Sequence, residues 1–287
     1  MTFQLPQNLQ TRPVTVIGGG TLGRRIALMF ASGGSKVRVY DLSADVREAA
    51  VSYVEQTLPS VVADREGAAA GCAQAFDDLD AAVGGAWLVI EAIPERLDLK
   101  TTLFGQLDAA ADDDTIIASN SSSYASRLMI DKVNHPERVL NMHFYMPPHQ
   151  NAVDLMSDGK TDPTIFDFLR DELPRYGVHP FVAHKESTGF IFNRIWAAIK
   201  RESLAVVADG VSTPEDVDRM FVVNTGAPAG PFRMMDQVGL DVVLDIENHY
   251  AEENPDLPEG PRRLLHEYVD AGRLGVKTGR GFYPYDQ

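Results

Sequence analysis

Three glycines in the spacing Gly18-x-Gly20-x-x-Gly23 follow the apolar run Val14-Thr15-Val16-Ile17, and after them Leu22, Ile26, Met29 and Gly33 share one helical face. A buried strand, a tight glycine turn and an amphipathic helix in that order make a βα unit, and few short patterns restrict a fold as much. The glycines have separate jobs: one makes the turn, one lets backbone meet a pyrophosphate, one lets helix pack closely on strand. The helix N-terminus beyond the turn offers free N–H groups and a partial positive charge to phosphates. Gly33-Gly34 stops the helix, and residues 36–41 read as the second strand with Asp41 at its end. Glycine clusters also mark plain turns; the strand before, the helix after and the acid at the next strand's end favour a dinucleotide site. Gly18, Gly19, Gly20, Thr21, Leu22, Gly23 and Asp41 are its expected contacts. A carboxylate at Asp41 accepts both ribose hydroxyls of NAD and repels a 2′-phosphate. No arginine directly follows it, Arg47 lying more than a turn into the next helix, so NAD is expected over NADP. The alternative job for Asp41 is to cap the helix that starts near Ser43.

Residues 88–91, 115–118 and 139–143 continue as further strands between helical patterns, the mark of a parallel sheet with crossover helices. The Ala- and Gly-rich stretch 63–71 reads as a mobile excursion. After about residue 185 the pattern becomes helical, with helices over residues 190–209, 213–221, 239–252 and 261–271 and no strand pattern or internal repeat. The expected fold class is α/β: a Rossmann-like N-terminal dinucleotide-binding domain over residues 1–185, then an all-helical C-terminal domain over residues 186–287.

The formal net charge of −15 repels phosphate backbones and anionic lipid heads, which argues against nucleic acid or a membrane as partner. It leaves room for an anionic small molecule in a local positive pocket. A single cysteine, Cys72, excludes an intrachain disulfide and fits a reducing compartment. No stretch reaches the roughly 18 apolar residues of a spanning helix. Residues 1–12 hold no apolar segment of a secretory signal and the tail 285–287 no targeting address, so the cytoplasm is the expected location.

Three polar groups stand out beside a dinucleotide site. Ser119-Asn120-Ser121-Ser122-Ser123 follows a strand at the edge where open α/β sheets bind ligands. His143 ends another strand. Asp154 is a lone carboxylate within Ala152-Val153-Asp154-Leu155-Met156. A histidine held by a carboxylate suits alcohol–carbonyl exchange, because it titrates near neutrality and its partner fixes the tautomer. On pattern alone a histidine at a strand end can be purely structural, Ser122 can be a turn residue, and His149 is a rival base. The seven histidines show no metal-ligand spacing, so no metal is expected.

Several further motifs, in order, settle among these readings: residues 16–23, Val89-Ile90-Glu91-Ala92-Ile93-Pro94-Glu95, residues 119–123, His143-Phe144, Gly189-Phe190-Ile191-Phe192-Asn193-Arg194, residues 226–232, residues 236–241 and residues 277–283. Over nearly its whole length the chain resembles the 3-hydroxyacyl-CoA dehydrogenase family. The resemblance implies hydride transfer between NAD and the 3-position of a 3-hydroxyacyl or 3-oxoacyl substrate, and a homodimer built on the helical domain. It makes His143 the acid/base and Asp154 its partner, with Ser122 and Asn193 hydrogen-bonding the reacting oxygen or the neighbouring carbonyl. Glu95, Lys100 and Lys277 would lie along the NAD site.

The chain departs from the family at three places. The family's glutamate lies one residue further past its histidine than Asp154 does, and a one-residue slip in a strand turns a side chain to the wrong face. A deletion in the loop 147–151 would keep the register. Met146 replaces an asparagine. The family's lysines for coenzyme A are missing: no lysine occurs between Lys36 and Lys100, and Ala63-Asp64-Arg65-Glu66 carries one basic group against two acidic ones. A free 3-hydroxy or 3-oxo (diketo) acid or ester is therefore a close alternative to a thioester, and residues 89–100 look especially like the diketoreductase version. A non-catalytic NAD-binding sensor or structural protein is a remoter alternative; it would keep the glycine turn and Asp41 but need neither His143 nor Asn193.

Overall fold

The computed structural model describes residues 3–286; Met1, Thr2 and Gln287, at the ends of the stretches read for targeting signals, lie outside them. The chain divides into two compact units, one ending at Phe190 and the other beginning at Ile191. No described helix is long and apolar enough to cross a membrane.

The first unit is a Rossmann-like sheet. Strand β1 (Val14–Ile17) is buried throughout and leads through the glycine turn into α1 (Thr21–Ser32). Strand β2 (Lys36–Tyr40) and helix α2 (Ala44–Ala63) follow, the helix opened by Ser43, whose hydroxyl accepts from the Val46 N–H. Strand β3 (Cys72–Phe76), the short α3 (Leu79–Val83), β4 (Leu88–Glu91), α4 (Leu97–Ala110) and β5 (Ile116–Ser119) continue the alternation. Then come β6 (Val139–Met146), β7 (Gln150–Ser157), α5 (Thr164–Glu172) and β8 (His179–Ala183). The strands lie in the order β3-β2-β1-β4-β5-β6-β7-β8, all neighbours parallel except β6 and β7.

Alternate strand residues feed two cores, as the period of two requires. Val14, Val16, Ile90, Met142 and Phe144 pack with Phe30 and Tyr176 on one face; Ile17, Val89, Ile117 and Val139 pack with Phe104 and Leu107 on the other.

Three observations refine the sequence reading. The fifth predicted strand, over 139–143, runs on to Met146 and turns back as β7, which carries Asp154. The stretch expected to be a mobile excursion is tied to the end of α1: Ala69 N–H donates to the Ser32 carbonyl and Gly71 N–H to that of Ala31. Strands β3 and β8 are edge additions that the sequence reading does not include.

The second unit is helical: α6 (Phe192–Ala208), α7 (Pro214–Thr225), α8 (Pro231–Val238), α9 (Leu240–Glu253) and α10 (Gly260–Val269). Its core gathers Leu204, Phe232, Met235, Leu240, Val243 and Leu265. Helix α8 is a fifth helix beyond the four expected. Under it, Asp218 accepts from the Phe232 and Arg233 N–H groups and from the Tyr283 hydroxyl.

Candidate active site

The glycine turn is built for close approach. Gly18 sits at φ +104, and a β-carbon there would lie 2.6 Å from the Ala92 carbonyl oxygen. At Gly23 a β-carbon would lie 1.9 Å from the Gly18 carbonyl oxygen, so only glycine lets α1 start where it does. Gly20 faces open space, and α1 has no side-chain cap at its N-terminus. First-turn N–H groups without intrahelical partners beside an open glycine fit a dinucleotide pyrophosphate. Asp41 stands at the mouth of this turn. Its carboxylate accepts from Gly19 N–H at 2.9 Å and from Ser43 N–H at 3.0 Å, while Arg47 binds its backbone carbonyl and leaves the carboxylate unneutralised. Helix α2 is capped by Ser43, not by Asp41.

At the far side of the same sheet edge, β6 and β7 pair with His143 directly opposite Asp154. Directly opposed residues of an antiparallel pair point to one face, so the shorter spacing than the family's does not turn the acid away. The register shifts between Phe144 and Met146, beyond the His143–Asp154 pair. Nδ1 of His143 lies 3.5 Å from Oδ2 of Asp154, with both side chains almost fully buried. That separation is an ion-pair distance rather than a hydrogen bond, and Nδ1 has no hydrogen-bond partner. The same Oδ2 accepts from the Tyr145 hydroxyl at 2.5 Å, and the Tyr145 ring meets the imidazole edge-on, centroids 4.7 Å apart. On the other side the Phe190 ring stacks parallel to the imidazole at 5.0 Å. Phe190 has φ +53, a left-handed conformation costly for an aromatic residue, held by hydrogen bonds in both directions with Ser187. His149 is exposed in the β6–β7 loop, and among the described residues no ion pair joins it to a carboxylate.

Between these two regions lies a polar network on the ends of β4 and β5. Lys100 of α4, 1% exposed, pairs with Glu91 at 2.5 Å and with Glu95 at 3.1 Å. Glu91, fully buried, also accepts from the Ile93 N–H and the Ser119 hydroxyl. Glu95 accepts from the Ser121 hydroxyl and the Ser123 N–H. Burial pushes the Glu95 carboxyl up, but Ser121, Lys100 and the Ser123 N–H together hold it below its ordinary value. Asn120 accepts from the Phe144 N–H, and Asn141 clamps the loop through Ser126 N–H and the Tyr124 carbonyl. Ser122 is left exposed at the tip of the loop so fixed.

Of the residues singled out in the sequence, the glycine turn with Asp41, Glu95 with Lys100, and His143 with Asp154 come together within the first unit. Asn193 stands in the first turn of α6 in the second unit, and there Lys277 is held by both oxygens of Asp241 at 2.6 Å. Tyr145 and Asn141 escape the sequence reading, and Glu91, Asn120 and Phe190 enter it only as members of motifs, without a role of their own. Glu91 alone carried a signal, as an acid closing an otherwise apolar strand.

A glycine turn under an unneutralised acid, and a buried histidine facing a carboxylate at the same sheet edge, define a nicotinamide-dependent oxidoreductase of the Rossmann class. Residues 13–187 match the NAD-binding domain model of 3-hydroxyacyl-CoA dehydrogenase, and residues 189–285 match that family's C-terminal domain. The chain belongs to the 3-hydroxyacyl-CoA dehydrogenase family and is an NAD-dependent dehydrogenase acting on a CH–OH group. It is 33% identical over 285 residues to mouse mitochondrial hydroxyacyl-coenzyme A dehydrogenase, covering 95% of this chain and 90% of the relative. It is 31% identical over 283 residues to 5-formyl-3-hydroxy-2-methylpyridine 4-carboxylate 5-dehydrogenase of Mesorhizobium japonicum, covering 96% and 91%. A solved structure of a diketoreductase, described as acting on dicarbonyl compounds, superposes with a TM-score of 0.81 at 32% identity, covering 99% of this chain and all of that one.

Proposed function

We propose that the protein interconverts the 3-hydroxyl and 3-oxo forms of an acyl substrate, with His143 as the acid/base. The carrying observation is the buried pairing of His143 with Asp154 across β6 and β7. With Nδ1 turned to the carboxylate, Nε2 is the atom that takes the hydroxyl proton in oxidation and returns it in reduction. Asp154 lies at ion-pair distance from the ring that takes up this proton, so its charge faces the positive charge formed there. Bound NAD supplies the hydride acceptor, or in its reduced form the donor. The glycine turn and Asp41 hold its pyrophosphate and ribose, Glu95 lines its site, and Lys100 acts by positioning Glu95; the family resemblance implies Lys277 as a further cofactor contact. Ser122 and Asn193 hydrogen-bond the reacting oxygen or the adjacent carbonyl, as the family resemblance implies. The test is NADH absorbance with a panel of 3-hydroxy and 3-oxo acids, esters and thioesters in both directions; no turnover on any of them refutes the reading.

The acyl group is a coenzyme A thioester in the first reading. A second reading, a free acid or ester, is favoured by Arg65. That side chain, the one base in the stretch 63–66, turns inward, donates to the Ser32 carbonyl and packs against Gly177. Part of its donor capacity is thus spent on the protein's own backbone.

Tyr145 positions the acid. Its hydroxyl anchors an aspartate one methylene shorter than the family's glutamate. Tyr145→Phe should lower kcat about tenfold, within the scale of one hydrogen bond to a charged group, with KM for NAD unchanged. A KM rise with kcat intact would show a substrate-binding role instead.

Asp41 sets cofactor choice, so kcat/KM should favour NAD over NADP and Asp41→Ala should narrow that preference. Equal wild-type values for the two cofactors would refute it.

The active form is a homodimer. On the second unit Ile195, Met220 and Val223 are each more than half exposed. Apolar side chains so placed need cover, and the family supplies a two-fold partner. Light scattering at micromolar concentration should give twice the chain mass; a monomer mass refutes the dimer.

A further inference from the structure

A second charged cluster stands on α1, directly after the glycine turn and apart from the acid–base pair. Arg24 and Arg25 follow the last glycine of the turn, and both guanidiniums lie against the Tyr53 ring of α2, at 4.7 and 5.7 Å from its centroid. Neither forms an ion pair with any described carboxylate, although the chain carries 41 acidic residues. Each also has a buried Nε without a hydrogen-bond partner. One Arg25 Nη donates to the Pro147 carbonyl at 2.9 Å, which ties the cluster to the loop that leaves β6.

Two neighbouring like charges over one ring repel, and the tyrosine face relieves only part of this. An anion between them would relieve the rest, and the planar guanidinium fork suits carboxylate and phosphate oxygens. The site lies at the same carboxyl edge of the sheet as His143. Pro147 follows His143 by four residues, on the order of 13 Å of extended strand. An oxyanion held there would sit well away from the carbon that exchanges hydride.

We infer that Arg24, Arg25 and Tyr53 form a subsite for a compact oxyanion, carboxylate or phosphate, at the end of the substrate remote from the reacting carbon. The inference rests on the proposed 3-oxoacyl reaction and adds to it the charge the substrate must carry. It also supplies positive charge, where the stretch 63–66 carries two acids against one base.

The test compares wild type with the Arg24→Gln/Arg25→Gln double variant on three substrates: ethyl acetoacetate, which is neutral, a medium-chain 3-oxo dicarboxylate, and acetoacetyl-CoA. The ratio of kcat/KM for an anionic substrate over the neutral one should fall roughly tenfold to a hundredfold, the scale of a lost hydrogen bond between charged partners. A fall confined to the dicarboxylate assigns the site to a carboxylate, and one confined to the thioester assigns it to a phosphate. Unchanged ratios, or a rise only in KM for NADH, overturn the subsite; the latter would make the pair a cofactor contact. Calorimetry with inorganic pyrophosphate and with glutarate provides a readout that does not need turnover. Binding of either by wild type and its loss in the double variant support the subsite, and no binding of either by wild type overturns it. Wild type that binds such an anion but reduces none of the three substrates refutes the reaction and leaves the subsite standing.

Discussion

His143→Ala should lose about 10²-fold or more of kcat, the range of a general acid–base contribution. Asp154→Asn should lose a similar amount, because it keeps the shape and removes the charge that faces the ring as it takes up the proton. The 3.5 Å separation sharpens the expectation. Asp154 acts here through charge and through Tyr145 rather than through one tight bond to Nδ1, so the neutral amide should fail even if it packs in the same place. The double variant should be little worse than the worse single, since groups that act as a unit are not additive. KM for NAD should stay within a few-fold in all three, because neither side chain meets the glycine turn or Asp41. A near-wild-type Asp154→Asn would mean that another group holds the imidazole or that His149 is the working base. Full activity after removal of both histidines would end the acid–base assignment.

The parts of this arrangement that were legible in sequence are those written in local spacing. The glycine turn, the acid at the end of β2 and the strand cores announce themselves because sterics and burial act over a few residues. Helix α8 hid because its start, Gly230-Pro231, resembles a loop, yet proline at the first helical position costs no hydrogen bond. Strand β8 hid for a related reason: Pro180 suits an edge strand, which has a free side, but interrupts a strand pattern. Helix α2 carries Pro59 within it and still runs its full length. The groups that orient the site were not legible at all. Tyr145 reads as one more aromatic in a strand, and only the hairpin brings its hydroxyl to Asp154. The pairing of Arg24 and Arg25 over Tyr53 depends on how α1 lies against α2, which no local pattern records.

The same limit hid the role of Lys100, and it leads to the largest stability effect expected of any single change here. Glu91 is fully buried and Lys100 nearly so, and among the described residues the 2.5 Å contact between them is the only ion pair Glu91 makes. Lys100→Met would leave that carboxylate with the Ile93 N–H and the Ser119 hydroxyl but no counter-charge. Removing one partner of a buried pair costs about 3–5 kcal/mol. For a unit of this size that lowers the melting temperature by roughly 6–20 °C. The same change frees Glu95, which the ammonium also holds, and with it the loop that presents Ser122. NAD affinity should therefore fall along with stability. Glu91→Gln added to Lys100→Met removes the stranded charge and should restore most of the melting temperature while leaving NAD binding weak, because Glu95 still lacks its anchor. Calorimetric melting and NAD titration of the single and double variants separate the two effects. If Lys100→Met melts with wild type, Glu91 does not depend on the lysine for its burial. If the double variant recovers both melting and NAD affinity, the lysine stabilises the fold and plays no part in positioning Glu95.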